Sequence, residues 1–285
     1  MRWWLSRRPM PELPEVETTR RHLEPVLVGA RIAGIDVRRH RMVRRQENPG
    51  DFVARLDGRV VNALDRRGKF LLARLEGDFT WVTHLGMSGR IQTADPGDPE
   101  VPHTNVIVDL GGGPQIRFVD PRTFGFMVAY TPDELGRSSL AELGRDALDD
   151  LPRSPELARL LARRSAPIKA LLLDQHLIAG LGNIYSDEVL HRAGISPYRG
   201  GGSLSPREIK SLRASIRPIL EAGLSAGGTS LADLAYLLPD GRAGDYLARL
   251  KVYGRAGERC GRCGTTIESA VLRGRTTHWC SGCQF

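Results

Sequence analysis

The sequence predicts an α+β protein of more than one domain, on three observations. Short apolar or β-branched runs broken by Gly, Asp and Pro fill residues 30 to about 130, helical spacing takes over after Pro152, and all four cysteines lie in the last 26 residues. The first region contains Val60–Leu64, Phe70–Leu75, Phe79–Leu85, Val106–Leu110, Ile116–Val119 and Phe126–Tyr130. Short strands at that density suggest a β-sandwich. Ahead of it, Pro14 at a first helical position, acids in the first turn and apolar Leu13, Val16, Leu23 and Leu27 predict an N-terminal helix. The second region contains helix candidates at Pro155–Arg164, Ile168–Asp174, Ile184–Ala193 and Pro206–Ala222. The expected boundaries are an extension or misassigned start at 1–10, a sandwich domain at 11–135, a linker at 136–152, a helical domain at 153–245 and a cysteine module at 246–285.

Composition narrows the partner. The 285 residues carry 41 Lys+Arg against 33 Asp+Glu, a formal net charge of +8, which points to a polyanion. Hydrophobic residues make up 41% without an apolar run of about 18, so packed cores and no membrane span are expected. Arginines cluster at 38, 39, 41, 44 and 45, at 66 and 67, and at 163 and 164; each cluster alone is also what a solvated face looks like.

Cys260-x-x-Cys263 and Cys280-x-x-Cys283, separated by 16 residues, fit two zinc knuckles. Four thiolates close a tetrahedral shell, so a single zinc ion there would be structural. Disulfides are the alternative, disfavoured in a cytosolic chain that keeps its thiols reduced. Between the knuckles, Ile267–Leu272 and Thr276–Trp279 read as strands around a basic tip, Arg273-Gly274-Arg275.

The segment Met10-Pro11-Glu12-Leu13-Pro14-Glu15-Val16-Glu17 pairs an alternative start codon with a proline. Inside a chain, the proline nitrogen is a tertiary amide without basicity; at a chain terminus it is a secondary amine in the pKa range near 8. Such an amine can attack electrophilic carbon, the logic of Schiff-base and N-terminal nucleophiles, and Glu12, Glu15 and Glu17 stand beside it. Met1–Pro9 lacks the apolar run and cleavage site of a secretory signal. It reads as a misassigned start, or else as an extension that blocks Pro11.

Three loops stand out. His84-Leu85-Gly86-Met87-Ser88-Gly89 and Asp120-Pro121-Arg122-Thr123-Phe124-Gly125 present Met, Arg and Phe from tight turns. Apolar wedges plus a cation can fill the stack vacated when a base is extruded, although Met87 and Phe124 taken singly are residues that normally fill cores. Gly180-Leu181-Gly182-Asn183 opens a helix, either holding a phosphate at its N-terminus or using Asn183 as N-cap.

These motifs, together with Arg66-Arg67-Gly68-Lys69, Gly182-Asn183-Ile184-Tyr185 and Val252-Tyr253-Gly254-Arg255, closely resemble bacterial formamidopyrimidine-DNA glycosylases over residues 10 to 284. The resemblance implies an N-terminal β-sandwich, a helix-two-turns-helix domain and a four-cysteine zinc finger. It also implies a bifunctional enzyme that removes oxidised purines such as 8-oxoguanine and cleaves the abasic site. Pro11 would be the nucleophile at C1′ and Glu12 would protonate the opening sugar. Glu15 would support the sugar geometry or serve structure alone. Lys69 would hold a phosphate and donate the proton for β-elimination, and Arg275 would bind phosphate and serve δ-elimination. His84, His103, Arg122 and Asn183 resemble positions that touch the DNA backbone or the orphaned base, with Met87, Arg122 and Phe124 filling the gap. Where the family often has a basic residue, Ser165 stands here, so that contact passes to Arg164 or is lost.

The loop after Gly227-Gly228-Thr229 has Ala232 where a basic residue is frequent, which leaves lesion preference open. The endonuclease VIII type, specific for oxidised pyrimidines, usually has Gly where this chain has Leu13. A non-catalytic DNA-binding protein with a blocked Pro11 is the rival outside enzymes. Expected partners are duplex DNA carrying oxidised bases or abasic sites. The expected state is a cytoplasmic monomer associated with the bacterial nucleoid.

Overall fold

The computed structural model describes residues 10–230 and 236–285. Ala232 and the segment Met1–Pro9 lie outside them. The chain divides into two compact units, one formed by Met1–Glu142 with Ala226–Asp245, the other by Leu143–Ser225 with Tyr246–Phe285. Residues 226–245 therefore cluster with the strand-rich unit, whereas sequence spacing groups them with the helices.

The first unit opens with α1 (Leu13–Leu27), whose start is fixed by a capping box: the Glu12 side chain accepts the Glu15 N–H while the Glu15 carboxylate accepts the Glu12 N–H. Its apolar stripe of Leu13, Val16, Leu23 and Leu27 is buried; each such side chain contributes about 1.5–3 kcal/mol on burial. Then follow β1 (Ile32–Val37), α2 (Pro49–Leu56), β2 (Val61–Arg67), β3 (Phe70–Leu75), β4 (Thr80–His84), β5 (Arg90–Ala94), β6 (Thr104–Leu110), β7 (Gln115–Val119), β8 (Phe126–Tyr130) and α3 (Pro132–Gly136). They form two four-stranded antiparallel sheets, ordered β1-β6-β7-β5 and β2-β3-β4-β8. One apolar core takes side chains from both, including Ile32, Val108, Ile116 and Phe118 from the first and Leu64, Leu71, Ala73 and Met127 from the second. Each expected strand is present. β1 and β5 were not expected: β1 contains Gly34 at an irregularity of its register, and β5 carries a single large apolar side chain, Ile91.

The second unit contains β9 (Arg145–Asp146), α4 (Ser154–Leu161), α5 (Ile168–Leu173), β10 (Ile178–Ala179), α6 (Asn183–Ala193), α7 (Pro206–Ser225), β11 (Ile267–Leu272) and β12 (Arg275–Cys280). The two-residue strands β9 and β10 pair in parallel. α6 and α7 approach closely at Gly223, where an added Cβ would lie 2.5 Å from the Tyr185 ring. The strands β11 and β12 make a hairpin with Leu272 opposite Arg275. Its turn is only Arg273-Gly274, both at positive φ (47° and 77°), the pattern of a type I′ turn. Arg275 is thus the first strand residue and not part of the turn. Among the described residues, no helix is long and apolar enough to cross a membrane.

Candidate nucleic-acid and catalytic site

In the first unit, the start of α1 gathers Pro11, Glu12 and Glu15, all buried. The two oxygens of Glu15 serve different segments: Oε2 accepts the Glu12 N–H at 2.9 Å and Oε1 accepts the Thr229 N–H at 2.7 Å. The preceding residue, Gly228, sits at φ +84°, and a Cβ there would come within 2.9 Å of the Glu15 carboxylate. The Tyr236 hydroxyl donates to the Glu15 carbonyl at 3.1 Å. Glu15 therefore ties both Thr229 and Tyr236 to the turn that carries Pro11 and Glu12.

Glu17 belongs to different chemistry. It pairs with Arg20, Arg21 and Arg66. Burial works to raise its carboxyl pKa, but these guanidiniums outweigh it and hold the group below its ordinary value. Arg66 also donates to the Gly68 carbonyl at 3.0 Å, so the β2–β3 hairpin tip is tied to α1. That tip is Gly68-Lys69, with Gly68 at φ +57° as the first central residue, the pattern of a type II′ turn. Lys69 sits on it, only 6% exposed.

His84 ends β4 opposite Phe70, its ring stacked on Phe126 at 5.5 Å and beside Phe70 at 4.7 Å. Burial, reinforced by the charges of Lys69, Arg45 and Arg44, lowers its pKa to about 3. The ring is neutral near pH 7, and Nδ1 accepts the Gly86 N–H at 3.1 Å, which leaves the proton on Nε2. His84 is then an uncharged donor.

The loops after β4 and β7 form one construction. Gly86, at φ +68°, lies so close to the second loop that a Cβ would be 2.3 Å from the Gly125 nitrogen. Buried Asp120 accepts from the Ser88 hydroxyl at 2.5 Å, from the Arg122 N–H at 3.2 Å and from the Gly125 N–H at 2.8 Å. What projects is Met87, half-buried, and Phe124, 42% exposed, with the Arg122 guanidinium 4.7 Å over the Phe124 ring. Neither apolar residue fills the core. His103, exposed at φ +69°, is joined to this construction through its carbonyl, which accepts the Asp120 N–H at 3.1 Å.

In the second unit, Asn183 is the first residue of α6 and Gly182 occupies the N-cap without a side-chain hydrogen bond. This corrects the N-cap reading of Asn183: its Nδ2 donates instead to the Thr276 carbonyl at 2.9 Å, joining the helix start to the hairpin beside Arg275. Arg275 is exposed. Arg164 is exposed in the turn after α4, its Nε donating to the Leu160 carbonyl at 3.0 Å, and Ser165 follows it.

The four cysteine sulfurs all lie within 4.8 Å of one another, with Cys260 and Cys283 at 3.8 Å and Cys263 and Cys280 at 3.4 Å. A tetrahedral ion with bonds of about 2.3 Å puts its sulfurs about 3.8 Å apart, so the donor set fits one zinc ion. These separations are far beyond an S–S bond of about 2.05 Å. The Arg262 N–H points at Cys260 Sγ (3.4 Å), and His191 Nε2 lies 3.5 Å from the same sulfur.

Sequence reasoning missed the groups that hold this second unit in place. Lys169 and Asp187, both fully buried, form an ion pair, and Lys169 also donates to the Asn183 carbonyl at 3.1 Å. Asp187 Oδ2 accepts the His278 N–H at 3.0 Å. The neighbouring Glu188 accepts backbone N–H groups of Lys251, Val252 and Tyr253 at 2.9 to 3.0 Å. The available signal was a pair of adjacent acids in mid-helix, which helix-spaced His191 and Arg192 could equally have been read as satisfying.

Three family descriptions match in chain order: "Formamidopyrimidine-DNA glycosylase N-terminal domain" over residues 10–127, "Formamidopyrimidine-DNA glycosylase H2TH domain" over 143–234, and "Zinc finger found in FPG and IleRS" over 257–284. Fold and site together define a multidomain DNA-glycosylase-type protein with a zinc-finger module. A relative from Moorella thermoacetica named formamidopyrimidine-DNA glycosylase is 45% identical over 260 residues, covering 91% of this chain and 94% of its own length. The crystal structure of the MutM (Fpg) protein from Thermus thermophilus superposes with a TM-score of 0.86 at 40% identity, covering 96% of this chain and 98% of that one. Lactococcus lactis Fpg in complex with DNA containing an abasic site gives a TM-score of 0.88 at 34% identity, covering 96% and 99%. The chain belongs to the formamidopyrimidine-DNA glycosylase family.

Proposed function

We propose that this protein is a base-excision DNA glycosylase for oxidised purines, 8-oxoguanine and formamidopyrimidines, with an associated abasic-site lyase activity. The observation that carries the reading is the capped start of α1. A proline stands there immediately before a buried acid, within a unit that also carries a lysine on a rigid hairpin tip and a clasped pair of loops projecting Met87, Arg122 and Phe124. The family relationship supports the same reading.

The chemistry requires the Pro11 nitrogen as a free secondary amine, so the active protein begins at Pro11, after initiation at Met10 and removal of that methionine. The match to the family's N-terminal domain begins at residue 10, in keeping with that start. The amine attacks C1′ of the extruded nucleotide while Glu12 gives a proton to the opening sugar ring. The base departs with its bonding electrons, and an iminium links Pro11 to C1′. Loss of a C2′ proton and departure of the 3′-phosphate complete β-elimination; Lys69 neutralises that phosphate and protonates it as it leaves. A second elimination at the 5′ side is served by Arg275, whose hairpin depends on the cysteine module. The four cysteines would hold a zinc ion that supplies rigidity and no reacting group.

Glu15 positions Glu12. Neutral His84, with His103, Arg122, Asn183 and Arg164, contacts phosphates or the orphaned base, and the wedge of Met87, Arg122 and Phe124 fills the vacated stack. The protein acts as a monomer in the bacterial cytoplasm, at the nucleoid, where its +8 charge favours duplex DNA.

Borohydride trapping tests the reading. With a duplex carrying 8-oxoguanine opposite cytosine, reduction is expected to give a covalent complex, and mass spectrometry of that complex to begin at Pro11. No adduct on either that duplex or an abasic one would refute the mechanism in favour of a DNA-binding protein with a blocked Pro11.

A further inference from the structure

The loop that carries Arg122 and Phe124 is braced from two sides. From within, Asp120 holds the Arg122 and Gly125 N–H groups, and the Ser88 hydroxyl oxygen also accepts the Arg122 N–H at 3.3 Å. From outside, Arg44 reaches its carbonyls: Nη1 donates to the Gly125 oxygen at 2.7 Å and Nη2 to the Phe124 oxygen at 3.0 Å. Nη1 also donates to the Arg41 carbonyl at 2.8 Å, and Arg41 Nε to the Thr123 carbonyl at 3.3 Å. The segment held this way includes Thr123 at φ +54°, a left-handed conformation that a β-branched residue adopts at a cost of about 1–2 kcal/mol. A loop with that cost relaxes unless its neighbours over-determine it. The guanidinium supplies this, since its planar fork reaches two successive carbonyls at once, a geometry that a lysine ammonium cannot reproduce.

We propose that Arg44 is a positioning residue for the base-gap wedge: by holding the Phe124 and Gly125 carbonyls, it fixes Phe124 and Arg122 in the projecting arrangement before DNA arrives. The role rests on the wedge function proposed above. The side chain acts through the loop, so its contribution is specific to substrates in which an orphaned base must be displaced. Arg44 is itself exposed, and replacing it removes no part of the core.

The test compares Arg44→Lys, which keeps the charge, with the parent protein on two substrates. One is a duplex with 8-oxoguanine opposite cytosine; the other has an abasic site opposite a one-nucleotide gap, where no orphaned base exists. Arg44→Lys is expected to slow single-turnover base excision on the first by about tenfold or more while its single-turnover strand cleavage on the second stays within about twofold, because a misplaced wedge fails only where a base must be displaced. Unchanged excision by Arg44→Lys would assign Arg44 to charge alone and overturn the proposal, as would an equal loss on both substrates.

If the parent protein excises nothing, the activity reading fails. The positioning role is then judged from the fluorescence of 2-aminopurine opposite a tetrahydrofuran abasic analogue. Positioning requires the fluorescence gain on binding to be reduced in Arg44→Lys at saturating protein. An undiminished gain overturns it.

Discussion

Replacing Glu15 by glutamine separates two roles that the sequence leaves open, support of the sugar and support of the fold. The carboxylate accepts one N–H from Glu12 and another from Thr229, at 2.9 and 2.7 Å. Glutamine keeps the shape but offers one carbonyl oxygen, and its NH2 group must face the other N–H. One buried donor is left unsatisfied, at about 1–3 kcal/mol, and the remaining bond loses its charge, which halves a contribution of about 1.5–3 kcal/mol. The total is about 2–4 kcal/mol. For a cooperative unit of about 160 residues, each kcal/mol is about 2–4 °C, so the midpoint of thermal unfolding should fall by roughly 4–16 °C. Excision of 8-oxoguanine should fall as well, because Glu12 and Thr229 lose their common tie. The assays are calorimetry and single-turnover excision at a temperature where both proteins are folded. Lost excision with an unchanged midpoint would refute the reasoning, since Glu15 would then act on the sugar and not on the fold.

Three other outcomes are expected. Glu12→Gln should bind the lesion duplex as the parent does but excise about 100-fold more slowly or worse, since a general acid acts in the step and little in the ground state; equal losses in binding and excision would count against the assignment. For His84 the folded pKa of about 3 lies below the ordinary 6.5, so the unfolded chain takes up the proton first and stability is lost as pH falls from 6.5 towards 3. His84→Gln should flatten the pH dependence of urea stability across that window, and an unchanged slope would show that the histidine is not the group responsible. Removing metal with a chelator should release one zinc per chain, weaken duplex binding and abolish strand cleavage, because binding of the ion is coupled to folding of such modules; full cleavage by protein verified as metal-free would contradict this.

The parts of this molecule legible in the sequence are those whose geometry is set within a few residues. The N-terminal helix could be read because the capping box joins Glu12 to Glu15 across one turn, and the apolar stripe repeats at helical spacing. The cysteine module could be read because each knuckle is a four-residue turn. The basic hairpin was legible too, although its turn is one residue shorter than the pattern indicated, since the two positive φ angles at Arg273 and Gly274 are not written in the alternation of polar and apolar residues. Strands with strong apolar runs were legible; β1 and β5 were not, because Gly34 interrupts one and only Ile91 anchors the other in the core.

Sequence alone therefore determined the classes of element, the donor set for metal and the polyanion partner, and it supplied the candidate residues for the chemistry. Tertiary structure decided which of those residues are held, and by what. Glu15 meets Thr229 from 214 positions away, Asp187 meets the His278 backbone from 91, and Arg44 meets the Gly125 carbonyl from 81. Glu17, one more acid beside the proline, turns out to anchor three arginines. The physical reason is that a buried charge or a strained turn is stable only when partners satisfy it. Such partners come from any part of the chain that the packed core brings near, whereas local turns and helix caps carry theirs with them.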